Sequence, residues 1–358
     1  MPTDEFKCPN CAGAITFDGS TQMMRCPYCD SEFDVEAYTQ LHGEVDAPEA
    51  PVTWAEDEHT TWSEEEQKYI AIYSCQSCGG EIVGEKTMGA TSCPFCGNPT
   101  IVSANFAGKY KPDYVVPFAV TAGEAKAALA KFYRGKPLLS KDFASANRIE
   151  EVRGIYVPFW LFSSDVDGTI KYRATKVRTW SDSQFDYTET SHFAVVRTGE
   201  IAFDNVPVDG SLYMPDALME SIEPYDYKSK TPFTAAFLAG YLADKYDVTQ
   251  EQCQPRANQR ITTSTEQAFR STVTGYTTVT QSKRNLTLQQ SKVSYAFMPV
   301  WLLNTTWKGK KYTFAMNGQT GKFVGDLPTH WGRAASYFGI IAGAVTAAAF
   351  IVQTIVGG

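Results

Sequence analysis

The sequence predicts an α+β fold: two small four-cysteine β units at the amino end, an α+β middle domain with two related β lobes, and one apolar helix at the carboxyl end. Three observations carry this reading. Eight of the nine cysteines fall into CxxC pairs in two matched frames, strand-like and helix-like segments intersperse through the middle, and twenty residues near the carboxyl end pass without a charge. The 358 residues exceed the ~100 to 200 of one domain, so two or more folded units are expected. The expected divisions are 1–43, 44–67, 68–110, 111–334 and 335–358. Charged residues at 20% and aromatics at 13% describe an ordinary globular chain. A formal net charge of -8 argues against a protein whose main task is gripping phosphate backbones.

The first frame, CPNCAGAITFDGSTQMMRCPYC, places Cys8 and Cys11 fourteen residues before Cys26 and Cys29. The second, CQSCGGEIVGEKTMGATSCPFC, repeats it with Cys75, Cys78, Cys93 and Cys96, each cysteine offset by 67 residues from its counterpart. No basic stretch, apolar core and small-residue cleavage site open the chain, so a reducing cytosol is expected, where CxxC pairs hold metal or do redox work rather than form disulfides. A CxxC turn points two thiolates at one place, and a hairpin between two such turns brings four sulfurs together. That set suits Zn²⁺ best, with iron the less favoured occupant, and implies two ions, one per four-cysteine site. A thioredoxin-like redox pair would need a βαβ context and one reactive CxxC. Pro9, Pro27 and Pro94 stiffen the turns, while Gly79 and Gly97 follow the second cysteine of a pair and permit positive φ. Units this small bury little, so the metal supplies most of their folding energy. The offset indicates duplication of a zinc ribbon. The first copy has Lys7 and Arg25 against seven acidic residues, which favours protein docking over nucleic acid.

Residues 44–67 contain nine acidic residues, no basic ones and two prolines, and are expected to form an extended tether. Trp54 and Trp62 within it are expected to pack on a neighbouring ribbon, the sharper alternative being an acidic-aromatic docking peptide.

In the middle domain, DYVVPFAV has strand composition, and Thr121 with Glu124 forms a capping box that opens a helix to about Tyr133. The stretch EEVRGIYVPFWLFSSDVDGTIKYRATKVRTW reads as strands turning at Asp167-Gly168, and HFAVVRTGEIAFDNVPVDG continues the pattern. TPFTAAFLAGYLADKYDV reads as a helix capped by Thr231, after a structured loop that holds Glu223 and Asp226. Residues 249–272 read as a helix broken or kinked at Pro255. β structure then returns, with a turn at Asn317-Gly318. VPFWLF (157–162) and MPVWLL (298–303) share a frame and suggest the two related lobes, with Trp160 and Trp301 as core anchors.

No catalytic or cofactor-binding constellation is legible. His42, His59, His192 and His330 are scattered, Cys253 reads as a small buried residue, and no Walker A, GxSxG, HExxH or kinase motif occurs. The expectation is a protein that is not an enzyme.

From Tyr337 to Val356 only Thr346, Gln353 and Thr354 interrupt an apolar run long enough for a ~30 Å hydrocarbon core. Lys322 and Arg333 precede it and two glycines follow, so a single span anchored in the cytoplasmic membrane is expected, with the body in the cytoplasm.

The twin ribbons, YVPFWLF, IEPYDY, AAFLAGYLADKYDV and the carboxyl-terminal span together resemble a bacterial family of zinc-ribbon membrane proteins. Its members are labelled TFIIB-type zinc ribbon-containing proteins, or mislabelled as PriA-like replication helicases. The resemblance covers nearly the whole chain and implies recruitment of stress machinery to the membrane, through a PspA homologue and a virion-core-like, SPFH-related partner. Without a Walker A motif a helicase motor is not supported. The functional expectation is a membrane-anchored adapter that docks cytosolic protein partners; the alternative is a zinc-ribbon nucleic-acid-binding protein linked to replication or transcription.

Overall fold

The computed structural model of the protein describes residues 7–8, 13–36, 38, 54–55, 59–86, 92–98, 101–104, 110–140, 143 and 152–356. Pro9, Cys11 and positions 44–53 and 56–58 of the acidic stretch lie outside them. The fold is α+β and rich in sheet, and the chain divides into two compact units: residues 1–56, 162–206 and 254–292 form unit 1, and residues 57–161, 207–253 and 293–358 form unit 2.

Unit 1 begins with a three-stranded antiparallel sheet of β1 (Thr16–Asp18), β2 (Met23–Arg25) and β3 (Glu32–Asp34), in that order. Its small core is Cys8, Ile15, Met24, Cys26 and Tyr38. The rest of unit 1 comes from parts of long strands and of the helix Gln250–Ser271. The described segment from Arg153 to Ser181 is one 29-residue strand, β8, which pairs with β9 (Asp186–Asp209). The turn expected at Asp167-Gly168 is therefore absent. Gly168 is buried inside β8, and a Cβ there would lie 2.7 Å from Leu286 Cδ2, so the glycine serves close side-chain approach rather than a change of direction.

Unit 2 holds a sheet that runs β10-β7-β12-β8-β11-β5-β4-β6. Its strands are β4 (Ile70–Cys75), β5 (Glu81–Glu85), β6 (Ile101–Ala104), β7 (Tyr114–Val115), β10 (Thr231–Pro232), β11 (Leu242–Asp244), and parts of β8 and β12 (Thr278–Trp307). β12 turns at Lys308-Gly309 into β13 (Lys310–Asn317), and after the expected turn at Asn317-Gly318 the chain forms β14 (Phe323–Gly325). There the Asn317 carboxamide oxygen accepts from the amides of Gln319 and Thr320 at 2.9 Å. VPFWLF and MPVWLL fall on the neighbouring strands β8 and β12, each leading into a hairpin. Trp160 and Trp301 are core residues, and their indole N–H groups donate to the carbonyls of Val248 and Val120.

Among the described residues, helices are bounded at α1 (Glu66–Tyr69), α2 (Ala122–Tyr133), α3 (Asp216–Ile222), α4 (Gln250–Ser271) and α5 (Trp331–Val356). α2 carries the expected capping box, the Thr121 hydroxyl accepting from the Glu124 amide and the Glu124 carboxylate from the Thr121 amide. Three expectations are corrected. α4 is not broken at Pro255; a capping pair of Thr249 and Gln252 starts it, and burial at Cys253, Ala257, Ile261, Thr265 and Phe269 holds one face every four residues. The helix expected after Thr231 does not form. That stretch is β10, a short 3₁₀ turn at Ala235–Leu238 and β11, because Gly240 takes φ +78° and Leu242–Asp244 fill a gap between β8 and β5. Trp54 and Trp62 pack away from the ribbons: Trp54 meets Phe162 and donates to Asn258 in unit 1, and Trp62 meets Phe233 in unit 2. The described part of the acidic stretch from His59 to Gln67 is thus packed structure and no free tether.

Gly168→Val should lower stability by about 1–3 kcal/mol, since the added carbons overpack against Leu286. Denaturant unfolding of the variant and the wild type checks this, and an unchanged midpoint would refute the close-approach account.

Candidate metal centres

All four CxxC turns share one backbone pattern. The amide of the first cysteine donates to the carbonyl five residues on: Cys8 to Gly13 (2.7 Å), Cys26 to Ser31 (2.9 Å), Cys75 to Gly80 (2.9 Å) and Cys93 to Asn98 (2.8 Å). In three of them the amide four residues on donates back to the first cysteine's carbonyl, from Asp30, Gly79 and Gly97. Those three residues have positive φ, 54°, 80° and 77°. Gly79 and Gly97 adopt the left-handed region as expected, while Asp30 adopts it with a side chain, one of the few types that tolerates it.

In the Cys75 and Cys93 turns this folding-back lets interior amides face sulfur. Burial pushes the Cys75 thiol up, but hydrogen bonds from the amides of Cys78 and Ser77 outweigh it and bring the group down from 9.0 to about 7. Cys93 moves upward because it is buried more deeply. The Sγ atoms of Cys75, Cys78, Cys93 and Cys96 all lie within 4.8 Å of one another, with Cys75–Cys96 at 3.6 Å and Cys78–Cys93 at 3.7 Å. A tetrahedron of sulfurs about a metal at ~2.3 Å has edges near ~3.8 Å, so this set could hold a metal ion with little rearrangement. In the first frame Cys8, Cys26 and Cys29 converge in the same way, with Cys8 and Cys29 sulfurs 3.5 Å apart; the expected fourth ligand, Cys11, lies outside the described residues.

The two centres differ in what surrounds them. The first is closed by its own three strands and the Tyr38 hydroxyl, which donates to the Lys7 carbonyl, and leaves Cys29 exposed. The second is built into the main sheet of unit 2. β5 pairs antiparallel with β11, Ala243 opposite Val83 and Asp244 opposite Ile82. Cys75, Cys93, Ile82 and Phe95 share one core cluster with Ile155, Val157, Met298 and Val300. Tyr213 stacks on Phe95 at 5.1 Å, and the Arg153 guanidinium donates to both the carbonyl and hydroxyl of Ser92, beside Cys93.

Near this second centre lies a group of buried acids that sequence reasoning missed. Asp244 is fully buried, which drives its carboxyl far above the usual range, and the carboxylates of Asp247 and Asp209 add to the rise. Burial also lifts Asp209 from 3.8 to about 7, helped by Asp216. Cys253 packs beside them as the expected buried residue, donating to the Asp209 carbonyl, its thiol pushed up to about 12 by burial. His59 is likewise a core residue, Nδ1 3.3 Å from Asp113 and Nε2 3.2 Å from Gln250. Among the described residues, only the two cysteine groups bring three or more ligand atoms together.

The difference in surroundings sets the expected response to ligand loss. Cys75→Ser should remove one metal equivalent and lower the main thermal transition, by roughly 4–8 °C for each ~2 kcal/mol lost in a unit of this size. Cys29→Ser should remove one equivalent and leave that transition in place. Elemental analysis with differential scanning calorimetry tests this; equal thermal effects would contradict the assignment. Asp209 binds its proton more tightly folded than unfolded, so its contribution is full below pH 3.8 and is lost as pH rises through about 7. In metal-saturated protein, Asp209→Asn should therefore flatten the fall in melting temperature between about pH 5 and about pH 7, and parallel profiles would disprove the linkage.

No protein-family model and no solved structure matches the chain. It is 33% identical over 353 residues to the uncharacterized protein YdjG of Bacillus subtilis (strain 168), an alignment that covers 99% of this chain and 98% of that relative. Likeness across essentially the full length of both, cysteine frames and carboxyl-terminal helix included in the span, places this chain in the family of YdjG.

Proposed function

We propose that this protein is a membrane-anchored zinc-ribbon adapter: α5 holds it in the cytoplasmic membrane with the body in the cytoplasm, and the first ribbon docks a cytosolic protein. The carrying observation is the unequal placement of the two cysteine centres. The second is buried in the core cluster of unit 2, where a metal stabilises the sheet. The first forms a separate small sheet with its own core and presents Phe17, Tyr28 and Cys29 to solvent. Duplication of a module, with one copy absorbed into a scaffold, leaves the other for recognition. Zn²⁺ is the occupant proposed for both centres, because four thiolates in a tetrahedron match its preferred ligand type.

The anchor is supported by α5. Its segment Trp331–Gln353 is long and apolar enough to cross a bilayer, and none of the window that meets this criterion is buried. Phe338, Ile340, Ile341, Val345 and Phe350 all stand exposed, while Arg333 ties the start of the helix to the Leu139 carbonyl at 2.5 Å. The PspA-like and SPFH-related proteins implied by the family resemblance are the first partners to test.

Affinity capture from detergent-solubilised native membranes, with co-purifying proteins identified by mass spectrometry, examines this directly. A defined partner should accompany the wild type, disappear with Cys8→Ser, and do so while that variant still sediments with membranes. Retention of the partner by Cys8→Ser would assign docking to another surface. Recovery of the chain in the soluble fraction would remove the anchor.

A further inference from the structure

The far end of the β8/β9 hairpin in unit 1 is used by neither metal centre. Residues 176–190 are exposed without exception, whereas β8 shows buried positions throughout from Ile155 to Ala174. A two-stranded ribbon with both faces in water is only marginally stable, and large apolar side chains on it add exposed surface with no gain in folding. This arm nevertheless carries Trp180, Phe185 and Tyr187 at 44%, 62% and 39% exposure.

The side chains are organised. Trp180 stacks on Tyr187 at 5.5 Å, and Phe185 stands 6.4 Å from Tyr187. Alternation along β8 places Lys176, Arg178 and Trp180 on one face; the Arg178 guanidinium lies 5.3 Å from the Trp180 ring, and Lys176 Nζ lies 5.5 Å from both Phe193 and Tyr276. The Asp182 carboxylate accepts from the amides of Gln184 and Phe185 and from the Tyr187 hydroxyl, and Asp186 accepts from Ser181, so the carboxylates of the tip are engaged in shaping the turn. Glu189 is the remaining acid of the arm.

We propose that this arm is a membrane-interface contact, in which Trp180, Phe185 and Tyr187 settle at the headgroup level of an anionic bilayer and Lys176 and Arg178 meet lipid phosphates. Rings with an apolar body and a polar tip favour that level, and cations beside them are drawn to anionic leaflets. The choice of a lipid surface rests on the reading of α5 as a span, which brings a bilayer to every copy of the chain. It rests also on placement: Lys176 and Arg178 lie against aromatic rings, while Asp182 and Asp186 are taken up in the hydrogen bonds of the turn. Single-stranded nucleic acid also takes cationic aromatic faces, and is the competing outcome.

Full-length protein reconstituted in phosphatidylglycerol/phosphatidylcholine vesicles, with and without brominated acyl chains, tests this by tryptophan quenching. The wild-type spectrum minus that of Trp180→Phe isolates the emission of Trp180, and flotation scores membrane attachment. The isolated emission should lose most of its intensity in brominated vesicles, and less of it in Arg178→Gln. A chain that floats while the Trp180 emission ignores bromine overturns the arm contact and leaves the anchor standing. A chain that fails to float removes the anchor and this contact together. Trp180 emission that responds to an oligothymidylate and not to bromine overturns the lipid assignment in favour of nucleic acid.

Discussion

The pairing of β5 with β11 decides how the second cysteine hairpin behaves, because it turns a metal-dependent module into part of a sheet. A free four-cysteine ribbon has a core of a few residues and depends on its ion for order. Once Val83 and Ile82 pair across to Ala243 and Asp244, the hairpin shares its core with β8 and β12, so a metal held by its cysteines would stabilise the sheet and be stabilised by it. The group of buried acids around Asp209 and Asp244 forms where the chain leaves β9 and β11 near this junction. Their protonation belongs to the same unit as the second cysteine set, where low pH favours the protonated acids and would disfavour thiolate ligation of a metal.

The CxxC spacing gives the four turns one backbone hydrogen bond in common, while their surroundings differ. The amide-to-carbonyl bond across five residues recurs in every turn, even where Asp30 replaces glycine at the left-handed position. What differs is the company each hairpin keeps. The first retains a sheet of three short strands and a core of its own. The same sequence frame thus yields one centre inside the core of a larger sheet and one in a small sheet with a core of its own.

The apolar surface left in water is concentrated in a few places, α5 and the β8/β9 arm among them. Neither is covered by other described residues, and the two differ in composition. α5 is uncharged over a bilayer-length stretch, while the arm mixes rings with cations. Exposed apolar area on this scale marks a site of contact rather than an accident of folding.

The features legible in the sequence are those set by short-range physics. The CxxC spacing, the positive φ of Gly79 and Gly97, the Thr121/Glu124 capping box, the Asn317-Gly318 turn and the uncharged run of α5 depend on residues within a turn or two of each other, and each stands where the sequence placed it. The tertiary structure decided the rest, wherever a distant strand competed with a local preference. TPFTAAFLAGYLADKYDV has the composition of a helix, yet Leu242–Asp244 gain more by completing a buried sheet. Gly168 looks like a turn residue until Leu286 arrives across the sheet. Trp54 and Trp62 sit in an acidic stretch that composition alone assigns to a tether, and burial against Phe162 and Phe233 holds them in place. Burial depends on which residues distant in sequence meet, so it alone could raise Asp209 and Asp244 and set the two cysteine centres apart.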